Sequence, residues 1–176
     1  MISHSDYLFL INQLRKDQNC KWYFIVRFLG ATGARISELV QFKIEQVLIG
    51  YIDIYSKGGK IRRIYIPNHL LHETKIWLTA TNRANGYLFL NCSGKKLSTR
   101  GIAHQLKKIA SNYNMNLKNV YPHSFWHMFA KTFIERYNDI ALLSDLLGHE
   151  SIETTRIYLR RTAQEQREIV NKVIVW

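Results

Sequence analysis

Apolar residues recur at helical spacing along most of this chain, and one segment breaks the rhythm. From Ser5 to about Lys16, Leu8, Phe9, Ile11 and Leu14 fall at near-helical intervals behind a Ser/Asp cap, which predicts a helix with those side chains on its buried face. A second helix is expected from near Asn19, with Trp22, Ile25, Val26 and Leu29 on one side and an end between Gly30 and Gly33. Thr32 is placed to cap a third that opens close to Arg35. There Arg35 and Glu38 share a face, so the carboxylate can hold the guanidinium; a surface ion pair is the plainer use of the same spacing.

From Val47 to Tyr55 the period falls to two, with Tyr51, Asp53 and Tyr55 alternating with Ile52 and Ile54 as in a half-buried strand. Ser56-Lys57-Gly58-Gly59-Lys60 supplies a glycine turn, and Ile61 to Ile66 returns as a second strand until Pro67. The product is a basic hairpin bearing Lys57, Lys60, Arg62 and Arg63. Asn68 to about Thr81 is expected to be helical and to bury Leu70, Leu71, Ile76, Trp77 and Leu78, while Arg83 to Gly94 is a loop around the short extended piece Tyr87-Leu88-Phe89-Leu90. Ser98 caps a predicted helix from Thr99 to about Tyr113 that exposes Arg100, His104, Lys107 and Lys108, a stripe suited to backbone phosphates.

Past Pro122, His123 to Tyr137 is predicted as a helix burying Phe125, Phe129 and Phe133. Ile140 to Leu147 follows as a short helix with Gly148 as its C-cap. Ser151 then starts another helix that runs towards Tyr158. The last expected helix, about 162 to 175, has a narrow apolar stripe of Ile169, Val170, Val173 and Ile174. No internal repeat or low-complexity stretch interrupts the series. The sum is an α+β chain, mainly α, with a small antiparallel sheet, and 176 residues suit one domain.

Charge narrows the partner. Lys and Arg total 25 against 13 Asp and Glu, a formal net charge of +12, which points to a polyanion and first to nucleic acid. A membrane surface is the rival, but the basic residues are scattered and do not gather on one long amphipathic helix. Met1-Ile2-Ser3-His4-Ser5-Asp6 lacks the pattern of a signal peptide, and Trp22 to Val26 is too short an apolar run to span a bilayer, so a cytoplasmic protein is expected. Cys20 and Cys92 stand far apart without ligand spacing and are expected to be reduced, partly buried thiols. His123 and His127 have a zinc-compatible spacing, but no third ligand suggests itself, so no metal is expected.

Breaking a phosphodiester in the absence of a metal needs a nucleophile, fixed positive charge on the non-bridging oxygens and an acid for the leaving hydroxyl. Tyr158, Arg35, His123, His149 and Lys57 supply those residue types. Four segments carry them in order. They are Thr32-Gly33-Ala34-Arg35-Ile36-Ser37-Glu38-Leu39, Ser56-Lys57-Gly58-Gly59-Lys60, Pro122-His123-Ser124-Phe125-Trp126-His127, and Leu147-Gly148-His149 with Tyr158 nine positions on. Together they resemble the signature of the tyrosine recombinases, the phage integrase family of DNA strand-exchange enzymes.

The resemblance implies a helical catalytic domain with a small sheet, acting on double-stranded DNA without a cofactor. In it Arg35 clamps the phosphate and Glu38 supports it, Lys57 protonates the 5′ oxygen, and His123 shuttles a proton. His149 bonds the phosphate, and Tyr158 attacks to give a 3′-phosphotyrosine. His127 would be a supporting residue, with Lys60, Arg62, Arg63, Arg100, Lys107 and Lys108 on the DNA backbone. The helix from about 162 to 176, through Ile169, Val170, Val173, Ile174 and Trp176, would dock on a neighbouring protomer and link a tetramer on DNA; packing on its own chain is the alternative. About thirty residues precede Arg35, so the family's N-terminal DNA-clamping domain is expected to be absent.

Trp126 departs from the signature, because the aligned motif His-x-x-Arg-His has an arginine there. An indole brings neither charge nor a paired donor to a phosphate, so impaired cleavage is expected. A degenerate member, an altered form, or a member with its second cation elsewhere would each account for it; Lys131 is the nearby candidate for such a cation. The alternative function is a non-catalytic DNA-binding or accessory protein on the same fold. A type IB topoisomerase is a related chemistry that the Gly148-His149 segment and the short chain disfavour.

Overall fold

The computed structural model describes residues 1–55, 61–149, 151–159 and 163–173. Helix α1, His4–Lys16, is capped by the Ser3 hydroxyl, which accepts from the Asp6 N–H at 3.0 Å. Its buried stripe is Tyr7, Leu10, Ile11 and Leu14, whereas Leu8 and Phe9 are exposed. The stripe i, i+3, i+4, i+7 that starts at Tyr7 fits one helical face better than one started at Leu8. Helix α2, Cys20–Thr32, is buried almost all round and forms the centre of the molecule.

α2 stops at Gly33, whose φ of 63° is left-handed; a Cβ there would also stand 2.7 Å from the Phe129 ring. Thr32 does not cap the next helix. It is the last residue of α2, and its hydroxyl donates to the Phe28 carbonyl and accepts from the Ala34 N–H. Arg35 itself is the N-cap of α3, Ile36–Leu39, which is followed by α4, Ile44–Val47.

The two strands are β1, Tyr51–Tyr55, and β2, Ile61–Tyr65, antiparallel with Ile52 opposite Ile64. β1 is shorter than expected because Val47 closes α4. Helix α5, Asn68–Ala80, buries Leu70, Thr74 and Leu78 at steps of four, and Ile76, expected inside, lies on the outer face. Helix α6, Thr99–Asn112, is capped by Ser98 and buries Ile102, Leu106, Ile109 and Ala110, leaving Arg100, His104, Lys107 and Lys108 outside. Leu88 and Phe89 are buried, but the piece expected to be extended forms no strand: isolated bridges at Tyr87 and Leu90 flank a bend.

Helix α7, Pro122–Arg136, joins two apolar clusters. Phe125 and Met128 face the large one around α2, and Trp126, Ala130 and Ile134 meet Leu143 and Leu147 of α8, Ile140–Leu147. Phe129 and Phe133 are only partly buried: Phe125 lies inside the large cluster, whereas Phe129 and Phe133, further along the same side of α7, pack at the margin of the second. Helix α9, Ile152–Arg156, a 3-10 turn at Ile157–Leu159, and α10, Ala163–Val173, complete the described chain. Val170 is exposed; the side chains of Ile169 and Val173, with Ile174 and Trp176, lie outside the described residues. Cys20 and Cys92 are free and exposed, not partly buried, Cys20 at the first residue of α2 and Cys92 in a polar turn. No described helix is long and apolar enough to cross a membrane.

Candidate active site

Two of the predicted segments meet through a side chain expected to face DNA. Alternation along β2 puts Arg62 on the inward face with Ile64, and it is only 6% exposed. Its Nη1 donates to both Glu38 oxygens at 2.7 Å, its Nη2 to the Gly33 carbonyl at 2.7 Å, and its Nε to the Leu146 carbonyl at 2.8 Å. Arg62 is therefore no phosphate contact. The period-two pattern that predicted the strand already contained that fact.

Glu38, also buried, holds Arg35 as expected: the Arg35 N–H donates to Oε2 at 2.7 Å and its Nη1 to Oε1 at 3.1 Å. Arg35 keeps a partly exposed guanidinium, available on its remaining edge. Two charges share one carboxylate here, and burial is the main cause that lowers the Arg62 pKa, against the attraction of Glu38.

On the other side Trp126 occupies the middle. His123 stacks on it at 5.0 Å between ring centroids, His149 lies at 5.2 Å, His127 at 5.3 Å and Tyr158 at 6.1 Å. The Arg35 Cζ stands 5.9 Å from the same ring, at the edge of cation–π range. Trp126 is 5% exposed, and its indole N–H is buried without a hydrogen-bond partner among the described residues. Lys131 does not replace the missing cation: it is exposed and pairs with Glu135 one turn on, at 3.7 Å.

The Tyr158 hydroxyl and His127 Nδ1 are 2.6 Å apart. Burial pushes the phenol pKa up to about 12, so the hydroxyl keeps its proton at neutral pH. Burial first, and then His123 and the chain's N-terminal amine, lower the His127 pKa, which leaves a neutral imidazole able to accept that proton. His149 follows the left-handed Gly148, and its Nδ1 lies 2.7 Å from the hydroxyl of the fully buried Thr155. Its pKa is likewise lowered by burial, then by Arg35 and Arg62. The sequence gives Thr155 no role; its place between His149 and Tyr158, three residues before the tyrosine, is the signal it offers.

Arg35, His123, His149 and Tyr158 are thus brought around Trp126, with Glu38 and His127 behind them. Lys57 and Lys60 lie outside the described residues. Arg63 is exposed but engaged: its Nε and Nη2 donate to Asp53 at 2.8 and 2.9 Å, and its guanidinium lies 3.9 Å over the Tyr51 ring. Arg100, Lys107 and Lys108 are exposed on α6. Among the described residues no group of three or more His, Cys, Asp or Glu could hold a metal ion.

Known proteins resemble this chain in sequence and fold. The chain is 37% identical over 169 residues to tyrosine recombinase XerA of Pyrococcus furiosus, a match over 93% of this chain and 58% of that protein. It therefore spans little more than half the length of that curated relative. A crystal structure of XerA recombinase superposes with a TM-score of 0.79 at 26% identity, over 99% of this chain and 65% of that one. A structure of XerH site-specific recombinase bound to difH substrate, a pre-cleavage complex, gives 0.78 at 23% identity, over 97% and 53%, a likeness of fold. The model of the phage integrase family matches residues 1–165, from α1 past the Tyr158 turn. With a mainly helical fold, a two-stranded sheet and this constellation, the chain belongs to the phage integrase family.

Proposed function

We propose that residues 1–176 form the catalytic domain of a site-specific DNA recombinase that works through Tyr158. The observation that carries the reading is the 2.6 Å contact of the Tyr158 hydroxyl with His127, beside Arg35, His123 and His149. In the proposed step the phenol oxygen attacks phosphorus as its proton passes to His127 Nδ1. The bond to the 5′ oxygen breaks, and Lys57 protonates that oxygen. Arg35 and His149 bond the non-bridging oxygens, and His123 shuttles protons at the edge of the site. The covalent 3′-phosphotyrosine conserves the bond energy for a second strand to reclaim.

Double-stranded DNA is the proposed partner, held at its backbone by Lys60, Arg63, Arg100, Lys107 and Lys108. Residues 1–176 by themselves should bind weakly, with an affinity that falls steeply as salt rises. Self-association on DNA would use the C-terminal helix, as a tetramer, and the working compartment would be the cytoplasm. Trp126 predicts slow chemistry: losing one preorganised donor costs ~10²–10³ in rate. The second reading, a DNA-binding protein that does not cleave, is favoured by the same side chain, since its ring fills the middle of the site.

A denaturing gel of the protein with nicked oligonucleotides from its own element's ends, beside Trp126→Arg and Tyr158→Phe, tests both. An adduct lost in Tyr158→Phe supports the enzyme. An adduct seen with Trp126→Arg alone supports the binder.

A further inference from the structure

Arg62 lies on neither surface that would meet DNA, yet it touches both segments that would hold the phosphate. Through Nη1 it fixes Glu38, and Glu38 in turn orients Arg35 by its backbone N–H and its guanidinium. Through Nη2 it holds the Gly33 carbonyl, at the turn that leads into Arg35. At its other end Nε binds the Leu146 carbonyl in the last turn of α8. The aliphatic stem lies against Gly148, where an added Cβ would stand 2.5 Å from Arg62 Cδ, so the backbone that presents His149 rests on the same side chain.

A guanidinium can satisfy these three directions at once because its donors form a rigid planar fork; an ammonium on a flexible stem cannot. Residues far apart in sequence are thereby set against one another by a single buried group. Resting on the function proposed above, we propose that Arg62 is a positioning residue that sets the geometry between Arg35 and His149, so that both reach one phosphate. Substitution at Arg62 is then felt at the phosphate without any contact to it. Since Arg62 pairs with Ile54 near the turn end of the β1–β2 ladder, the same bonds also hold the strand next to the segment that contains Lys57.

The test compares the parent with Arg62→Lys and Arg62→Gln, at a temperature where circular dichroism shows each protein folded. Arg62→Gln keeps a neutral donor at the position and removes the planar fork, so it serves if Arg62→Lys does not fold. Three readouts are taken: affinity for nicked DNA, the rate of Tyr158 adduct formation at saturating DNA, and the NMR resonances and titration of the His149 imidazole. Expected are an affinity within about threefold of the parent, an adduct rate about 10²-fold lower, as for a catalytic group misplaced by about 1 Å, and a displaced His149 signal. A parent-like rate at saturating DNA together with an unmoved His149 signal would overturn the proposal. If no protein in the series forms an adduct, even with Trp126→Arg added, the recombinase reading fails, and the His149 signal alone then decides for or against Arg62.

Discussion

The two halves of the site are held together by opposite means. Around Glu38, charge is buried only because it is paired: Arg62 and Arg35 converge on one carboxylate, and each Arg62 nitrogen donates to an oxygen. Around Trp126, rings do the holding, and the indole N–H has no described partner. An unmade bond of this kind typically costs about 1–3 kcal/mol. The charged half can be built only in one geometry, because its fork and carboxylate are directional. The aromatic half tolerates approximate placement, because dispersion and burial are not. The contrast locates the weak point of the proposed site: paired charge stands on one side, and on the other the neutral Trp126 ring occupies the position that the resemblance gives to a cation.

The sharpest break in that comparison is at Tyr158. Tyr158→Phe should abolish the covalent adduct on a denaturing gel and leave salt-dependent DNA binding unchanged, since only the nucleophilic oxygen is lost. Next, Glu38→Ala should collapse the charged half. It strands Arg62 as an unpaired buried cation, at a cost of ~3–5 kcal/mol. By calorimetry that is a fall in melting temperature of roughly 10 °C, at ~2–4 °C per kcal/mol for a domain of this size.

His127→Gln keeps a polar group beside Tyr158 but no proton acceptor of useful basicity. Adduct formation at saturating DNA should fall about 10²-fold and lose its acid limb in a pH–rate profile. Trp126→Arg should work in the other direction on the aromatic half. The rate should rise by about 10²-fold as a charged donor returns, while the melting temperature falls, because a cation enters an apolar cluster beside Arg35. A gain in rate with no loss of stability would mean that the rings contribute little to holding the Tyr158 turn.

The smallest effect is the pH dependence of stability. His127 and His149 both titrate below the ordinary histidine value, chiefly through burial. As pH falls through the usual histidine range the unfolded chain takes up protons first, so stability is full above about pH 6.5 and declines towards the lower folded-state values. The melting temperature should be lower at pH 5.5 than at pH 7.5, and the difference should narrow in His149→Asn.

Much of this was legible in the chain. The order of the longer helices, the pairing of β1 with β2, the caps Ser98, Ser151 and Gly148, and the order of the signature segments follow from local rules, because caps and periodicity depend on neighbours within one or two turns; the four-residue α4 is too short to show a period and is missed. The family follows from the same spacing. Other features depended on which element covers which face. Leu8, Phe9 and Ile76 are hydrophobic in a helical pattern but point away from α2. Phe129 and Phe133 lie where α7 passes from one cluster to the other.

What the sequence determined by itself, then, is the set of chemical groups available to the site and the tryptophan at position 126, where the resemblance expects an arginine. Tertiary structure alone decided their roles towards one another. Arg62 looks like a surface cation until the strand face meets Glu38 and the end of α8, and His127 meets the Tyr158 hydroxyl only where the Tyr158 turn packs beside it. The physical reason is range. Propensity and capping act over a few residues, whereas desolvation and paired hydrogen bonds join groups that the chain holds far apart until it folds.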